Sequence, residues 1–369
     1  MGYVAVKGGV EAIENAEELL KYFRLKGGSK PIEVKQIQDQ LRLAVDKVMG
    51  EGSLYAPYYA ALALKQAEGD TIEASFILRA YRSTVPRNHY SLPVDTTEMH
   101  IIRRISAAFK DIPGGQVLGP TRDYTQRLLD FELAEEDEER AACFLAGFLE
   151  GLETGAPEGP VTFSKVIDLL REEGLVEEFQ AKQQDKTGGR EDSVMDITRE
   201  TTTFPCPREG RLQAMARGEI GGMLAIAYSS MRGYGDIHPT LGELRVGYVP
   251  LKIPHPRGTG ELYLGRVLVT EAEVIARFAD EDGTPKFTVG YGLCFGHNEL
   301  KAVSMAILDR TMSAVEPQMP AEDQEFVLSH IDGIESSGFA AHWKLPHYVT
   351  FQSDLDRLRS TQKRKGEKN

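Results

Sequence analysis

The spacing of apolar residues changes period part-way along the chain, and this limits the fold more than any other feature. Over residues 9–23, Val10, Ile13, Leu19, Leu20 and Phe23 follow helical spacing. Val34, Ile37, Leu41, Val45 and Val48 repeat it over 34–49. Residues 57–67 and 71–82 predict two more helices, parted by Glu68-Gly69-Asp70. Residues 243–253 and 261–269 instead alternate, which predicts strands of a small antiparallel sheet. Residues 208–217 read as a helix and 298–314 as an amphipathic helix, whereas the small apolar run 219–228 suits either type. A short buried strand is expected at 3–6 and a frayed basic tail from Asp354. Segment 103–131 starts like a strand and turns at Pro113-Gly114-Gly115 and Gly119-Pro120, with a helix expected from near Thr121. Helical and strand-like stretches are segregated, so the expected class is α+β rather than a doubly wound parallel sheet.

Charge divides the chain further. It carries 56 acidic and 43 basic side chains, a formal charge of −13. Residues 132–200 alone hold 19 acids and 7 bases, so nearly all the excess sits there. That stretch reads as a solvated surface insertion, part mobile linker, interrupted by two short helices in AACFLAGFLEGL and FSKVIDLLREEGLV. Three segments follow: a helix-rich 1–131, an acidic variable insertion 132–200, and an α+β 201–369 that carries a histidine cluster. Excess acid argues against nucleic acid or an anionic membrane as a partner, since both need a basic face. No apolar run approaches the ~20 residues of a membrane span. The N-terminus lacks a signal-peptide layout, and the three cysteines are scattered with no C-x-x-C pair, so a reducing cytoplasm is the expected location.

Four of the eight histidines, His297, His330, His342 and His347, lie close together in the chain. The sharpest pattern is His342-Trp-Lys-Leu-Pro-His347. On a regular helix a separation of five puts two rings about 140° apart. Pro346 disfavours helix at Leu345, so a loop is expected, and a loop can bring both imidazoles onto one metal ion or simply pack them. Two histidines do not complete a tetrahedral site, so water, substrate, His330 or another subunit must supply the rest. Glycine-rich turns at 113–120 and 232–235 offer backbone amides to phosphate oxygens, but neither is a P-loop or a dinucleotide fingerprint. Residues 79–127 are locally basic, with Arg79, Arg82, Arg87, Arg103, Arg104, Lys110, Arg122 and Arg127, which suits a polyphosphate or ordinary surface pairing. Asn298 fits an N-cap, with Glu299 near the positive end of the helix that follows.

Several longer stretches resemble a known family. They are YVAVKGG (3–9), GEGSLY (50–55), RISAAFKDIPGGQVLGP (104–120), DYTQRLLDF (123–131), RGYG (232–235), GYGLCFGHNE (290–299), EFVLSH (325–330) and HWKLPHYVTFQ (342–352). Together they resemble subunit I of the bacterial carbon–phosphorus lyase core complex, the PhnI family. The resemblance implies a cytoplasmic enzyme of phosphonate catabolism. It would act with subunits G and H and an ATP-binding-cassette subunit to displace adenine from Mg-ATP with methylphosphonate. The product would be α-D-ribose 1-methylphosphonate 5-triphosphate, and alone the protein would act as a purine nucleosidase. Subunit J would cleave the carbon–phosphorus bond later, in an assembly expected to be a dimer of heteromers. The family's H-x-K-L-P-H segment implies that His342 and His347 bind zinc, or another divalent transition metal, near subunit J. For the glycosyl step, Asp123, Asp236, His238 and Glu299 are candidates for acid, base or cation support. Lys110, Arg232, Gly233 and Gly235 are candidates for a triphosphate cradle. The competing reading is a non-catalytic scaffold that contributes two histidines to an interface metal, with Trp343 and the segment Leu54–Tyr59 as aromatic anchors.

Overall fold

The helical periodicities of the first quarter fold as α1 (Gly9–Leu25), α2 (Val34–Gln40), α3 (Arg42–Gly52), α4 (Pro57–Gln66) and α5 (Thr71–Thr84). In the computed structural model the described residues are 9–152, 163–177, 194–232, 239–281, 284–314 and 316–366. The strand expected at 3–6 lies outside them. The helix expected over 34–49 is two, parted at Leu41, whose φ of −108° and ψ of 37° leave the helical region. Pro57 opens α4, where its missing N–H breaks no bond. Asp70 caps α5 by accepting from the amides of Ile72 and Glu73. Helices α2–α5 enclose their own core around Val48, Met49, Ala60, Ala61 and Leu78. Helix α1 buries none of its residues.

The other elements are β1 (His100–Ile105), α6 (Glu138–Leu152), α7 (Val166–Glu172), α8 (Arg208–Arg217), α9 (Ile220–Met231), β2 (Thr240–Pro254), β3 (Glu261–Glu281), β4 (Thr284–Phe295), α10 (Glu299–Thr311), α11 (Gln324–His330), α12 (Gly333–His342) and α13 (Tyr348–Gly366). The four strands form one antiparallel sheet in the order β1-β2-β3-β4, so the α+β expectation holds. β1 belongs to the first of the three expected segments and β2–β4 to the third, and the sheet joins them. The ambiguous run 219–228 is the helix α9, and the tail is not frayed from Asp354 but helical to Gly366.

Each face of the sheet has its own chemistry. One face packs on α10 through small residues. A Cβ on Gly290 would stand 1.9 Å from the Ala306 carbonyl, and one on Gly292 would stand 2.1 Å from that of Ala302. Glycine therefore lets the helix backbone lie directly on β4. Leu244, Ala272, Val274, Met305 and Leu308 fill the rest, with α8, α9 and α11 closing the cluster.

The opposite face is charged and buried. Strand alternation puts Arg104, Glu243, Arg245, Glu271, Glu273 and Tyr291 on it. Arg104 Nε donates to Glu243 at 2.5 Å, and Arg245 Nε to Glu271 at 2.9 Å, its register partner. Lys165 Nζ reaches Glu271 at 2.8 Å and Glu273 at 3.5 Å. The hydroxyls of Thr96 and Tyr291 donate to the same Glu271 oxygen. Burial pushes Glu271 up, but Arg245 and Lys165 outweigh it and leave the carboxyl below its ordinary value. Glu273 has one oxygen with no hydrogen bond, and burial pushes it up to about 7.

Two expectations are corrected here. No helix follows Thr121: residues 121–130 form an irregular loop tied back by Asp123, in which Arg127 takes a left-handed φ of 54°. The acidic insertion is not solvated throughout. α6 is exposed, but residues 163–177 cover the charged face of the sheet. Ile167, Leu170 and Val176 are buried against Ile275, and Val166 is buried beside them, its amide donating to Glu243 at 3.1 Å. Glu172 and Glu173 face outwards while the apolar stripe and Lys165 face in, an amphipathic split that the summed charge conceals.

Glu273 makes stability depend on pH. Its folded pKa lies above the ordinary 4.5, so the folded state binds the extra proton between pH 4.5 and about 7. Stability from this group is complete below 4.5 and is lost as pH rises through 7, a contribution on the order of 3 kcal/mol. Thermal melts of wild type and Glu273→Gln from pH 5 to 8 should show the variant losing less stability on alkalinisation. Parallel curves would contradict the assignment.

Candidate functional site

α10 begins where the helical N-terminal unit meets the sheet. Gly296 turns the chain with a φ of +74°, and a Cβ there would stand 2.4 Å from the Asp46 side chain, so glycine lets α3 close against this turn. Asp46 accepts the His297 amide at 2.9 Å, and burial raises its pKa. Asn298 occupies the N-cap position, but its side chain does not cap. It donates instead to the carbonyls of Asp46 at 3.1 Å and Phe295 at 2.6 Å, stitching α3 to β4.

His297 has both ring nitrogens engaged. Nδ1 lies 3.0 Å from Arg42 Nη1, and Nε2 lies 2.6 Å from Glu299 Oε1. A guanidinium only donates, so Nδ1 accepts, and Nε2 carries the proton that it gives to Glu299. The same Glu299 oxygen sits 2.7 Å from Arg103 Nε. That contact is an ion pair without a hydrogen bond from Nε, and the hydrogen bonds of Arg103 go to Asp123 and, at 2.5 Å, to the Leu118 carbonyl. Thus one guanidinium with no exposed side-chain surface holds two carboxylates that are 21% and 40% exposed, a graded opening from core to solvent. Two of the four expected catalytic residues, Asp123 and Glu299, are thereby brought together. Asp236, His238, Gly233 and Gly235 lie outside the described residues. Both carboxylates are held in place by cationic partners at a rim open to solvent, so their oxygens are positioned where they can face a cationic centre.

The loop expected between His342 and His347 is present. α12 ends at His342, α13 starts after Pro346, and the two Nε2 atoms stand 3.2 Å apart. His347 Nδ1 lies 2.5 Å from the Leu345 carbonyl, which only accepts, so Nδ1 holds the proton and Nε2 presents its lone pair. Two metal–nitrogen bonds of about 2.0–2.1 Å at a tetrahedral angle put the nitrogens roughly 3.3–3.4 Å apart. The pair therefore fits two positions of a tetrahedral metal. Among the described residues no third His, Cys, Asp or Glu joins it, and His330 instead turns to the Phe326 carbonyl at 2.6 Å.

The basic segment 79–127 does not form one basic surface. Arg79 pairs with Asp332, Arg87 with Asp196, Arg103 with Asp123 and Arg104 with Glu243. Arg103 and Arg104 point to opposite faces of the sheet. Lys110 is exposed, and its side chain makes no hydrogen bond or ion pair with a described residue; Arg232 lies over the Tyr228 ring at 5.9 Å. Arg42 and Asp46 are the site residues that the sequence reading missed, while Arg103 and His297 stood out only as members of the basic segment and of the histidine cluster. The one available signal was two adjacent arginines on a short strand, a place where a charge needs a buried partner.

Large apolar side chains remain exposed on α1 (Val10, Phe23), α6 (Phe144, Phe148) and the α12–α13 corner (Phe339, Trp343, Phe351). Tyr58 and Tyr59 are exposed too, but Tyr55 is used internally, accepting the Leu268 amide at 3.0 Å and packing on Phe295. Among the described residues no helix is long and apolar enough to cross a membrane.

Comparison with known proteins places these features in a family. The family model described as bacterial phosphonate metabolism protein (PhnI) matches residues 2–365. A putative C-P lyase subunit protein HtxH of Stutzerimonas stutzeri is 53% identical over 98% of this chain and 96% of its own. The alpha-D-ribose 1-methylphosphonate 5-triphosphate synthase subunit PhnI of Escherichia coli K12 is 46% identical over 98% of both chains. Its namesake in Rhizobium meliloti is also 46% identical, over 97% of this chain and 94% of that one.

The Arg103 junction should be costly to break. Arg103→Met leaves Asp123 and Glu299 without their shared cation and the Leu118 carbonyl without its donor. A loss of about 2–4 kcal/mol is expected in chemical denaturation. Arg103→Lys, which keeps the charge but not the fork, should fall between it and wild type. Unchanged stability in Arg103→Met would refute the junction.

Proposed function

Because the chain belongs to the bacterial phosphonate metabolism (PhnI) family, we propose that it is a subunit of a carbon–phosphorus lyase system and takes part in displacing adenine from ATP with methylphosphonate. The product is then α-D-ribose 1-methylphosphonate 5-triphosphate, and the same centre acting on water gives purine nucleosidase activity. In this step the bond from adenine to ribose C1′ breaks and a bond from a phosphonate oxygen to C1′ forms. The adenine leaves with a proton, and positive charge develops on the ribosyl ring between the two events.

The observation that carries the reading is the pairing of Glu299 and Asp123 on Arg103 at an exposed rim. Fixed carboxylates there stabilise a ribosyl cation as it forms. Arg42 holds the His297 ring, and His297 in turn orients Glu299, which makes them positioning residues. The phosphonate is already an anion and needs no base; water does, and Glu299 serves it in the nucleosidase reaction. Asp236 and His238 remain the candidates to protonate the leaving purine. Arg232, Gly233, Gly235 and Lys110 remain candidates for the triphosphate with its Mg²⁺. His342 and His347 hold zinc or another divalent transition metal, which when bound supplies positive charge for phosphate or phosphonate oxygens.

The exposed faces of α1, α6 and the α12–α13 corner support a multisubunit setting, and the cytoplasm is its proposed location. The partners are subunits G, H and J with an ATP-binding-cassette subunit, in a dimer of heteromers. These faces also favour the scaffold reading, in which this chain organises the others and the chemistry lies elsewhere. Chromatography of ATP incubated with the complex separates the two. Glu299→Gln should lower methylphosphonate-dependent adenine release by about 10²-fold or more if Glu299 supports the transition state. Unchanged release in Glu299→Gln and Asp123→Asn favours the scaffold. For the metal, bound zinc measured in the purified complex should drop from about one per chain towards zero in the His342→Ala, His347→Ala double variant. Equal zinc in both removes the site.

A further inference from the structure

Residues 124–152 lie at the surface throughout. Every one of them is exposed except Ala141, which is half-buried. They comprise the end of the loop after β1 and all of α6, a helix that buries none of its side chains. The ion pair of Arg103 with Asp123 ties the root of this arm to the sheet.

A segment so exposed should be polar, and this one is not. Ten of its side chains are large apolar groups, each more than half exposed. Leu128, Leu129 and Phe131 lie together ahead of α6. Phe144, Phe148 and Leu152 follow at intervals of four, so an apolar stripe runs down the helix. The Phe144 and Phe148 rings stack with their centroids 5.9 Å apart. The stripe is therefore ordered before anything covers it, which lowers the entropic cost of covering it.

Charge beside the stripe is equally one-sided. Residues 124–152 hold eight acids and two bases, a net −6. Both bases already face acids, Arg127 with Asp123 and Arg140 with Glu135, each at 3.5 Å. Asp137 caps α6 by accepting the Arg140 amide at 2.8 Å, and Glu138 and Glu139 suit the positive end of the helix. Those roles explain where three acids sit but leave the net charge in place. An apolar stripe with an acidic border is complementary to an apolar groove with a basic border.

We propose that residues 124–152 are a docking arm for a different polypeptide, one that presents an apolar groove bordered by lysine or arginine. Phe144 and Phe148 fill the groove, and Glu132, Glu136 and Glu139 meet its basic border. Arg79, Arg87, Arg103 and Arg104 are spent on carboxylates of this chain, so its own basic segment does not supply that border from a second copy. The root of the arm is also the rim of the candidate site, because Arg103 holds Asp123 together with Glu299. A partner seated on the arm thereby fixes the loop that carries one of the two carboxylates.

The proposal rests on the multisubunit reading above, and its test is read separately from adenine release. Cys143 on α6 is exposed, whereas Cys206 and Cys294 are buried, so a thiol-directed photocrosslinker labels the arm of the folded full chain. After reassembly with the other subunits of the complex and illumination, mass spectrometry should find Cys143 joined to a peptide of another subunit, beside apolar residues flanked by lysine or arginine. Amides of 124–152 should exchange hydrogen at least tenfold more slowly in the complex than in the chain alone. Titrated with the crosslinked subunit, the Phe144→Ser, Phe148→Ser double variant should bind at least tenfold more weakly than wild type. The Glu136→Lys, Glu139→Lys double variant, which keeps the stripe, should also bind more weakly and lose most of the salt dependence of binding. Crosslinks confined to a second copy of this chain overturn the proposal, as do unchanged exchange or wild-type affinity in both variants. A complex that protects the arm but releases no adenine sinks the glycosyl reading alone. One that releases adenine with the arm unprotected sinks this proposal alone.

Discussion

Everything around the sheet depends on two adjacent arginines with no exposed side-chain surface, Arg103 and Arg104. A strand alternates, so neighbours must point to opposite faces. Each arginine therefore carries a full charge into a different interior, and each interior has to supply anions. On one face Glu243 meets Arg104, and its second oxygen receives the amide that starts α7. On the other face Asp123 and Glu299 meet Arg103, and through them the loop after β1 is tied to the head of α10. An unpaired buried charge would shift its ionisation or unfold its surroundings. The covering segment, the irregular loop and the start of α10 are thus consequences of one short strand.

This explains why the class of the fold was legible and parts of the fold were not. Periodicity reports which side of an element is apolar, and helices α3–α5, α8 and α10 bury apolar sides, so spacing found them. It says nothing about a segment held by charge. Thr121–Phe131 has helical spacing in Leu128, Leu129 and Phe131, yet Arg103 captures Asp123 and the chain turns at Arg127 instead. Residues 163–177 failed for the opposite reason. Their apolar stripe is sound, but their acids were averaged with those of neighbours that face solvent.

The site was legible only where local sequence settles geometry. Pro346 sits between two histidines and disfavours a continuous helix, so the loop between His342 and His347 was legible in six residues, whereas the approach of the two rings was one of two outcomes that loop allowed. The Arg42–His297–Glu299–Arg103–Asp123 chain cannot be read that way. Its members come from α3, β1, the loop after β1 and the start of α10, as many as 257 positions apart in sequence between Arg42 and Glu299. A stretch such as His297-Asn298-Glu299 looked like simple capping, and the side chain of Asn298 turned out to bind two backbone carbonyls of other elements instead.

Polar and apolar groups are also distributed against the usual rule, and the inversion has a physical reading. Arginine and glutamate are buried on the sheet and Lys301 on α10, while Phe144, Phe148, Phe339, Trp343 and Phe351 are exposed. A monomer seldom leaves such large apolar groups in water along whole helices, because each one buried contributes about 1.5–3 kcal/mol. The favourable burial that this chain does not complete within itself is available to other subunits. The charged interior, by contrast, contributes little net stability but fixes geometry through directional pairs. The two halves of the inversion then serve different ends. The exposed faces leave hydrophobic stability to be gained from outside the chain, while the interior holds its arginines and carboxylates in one fixed arrangement.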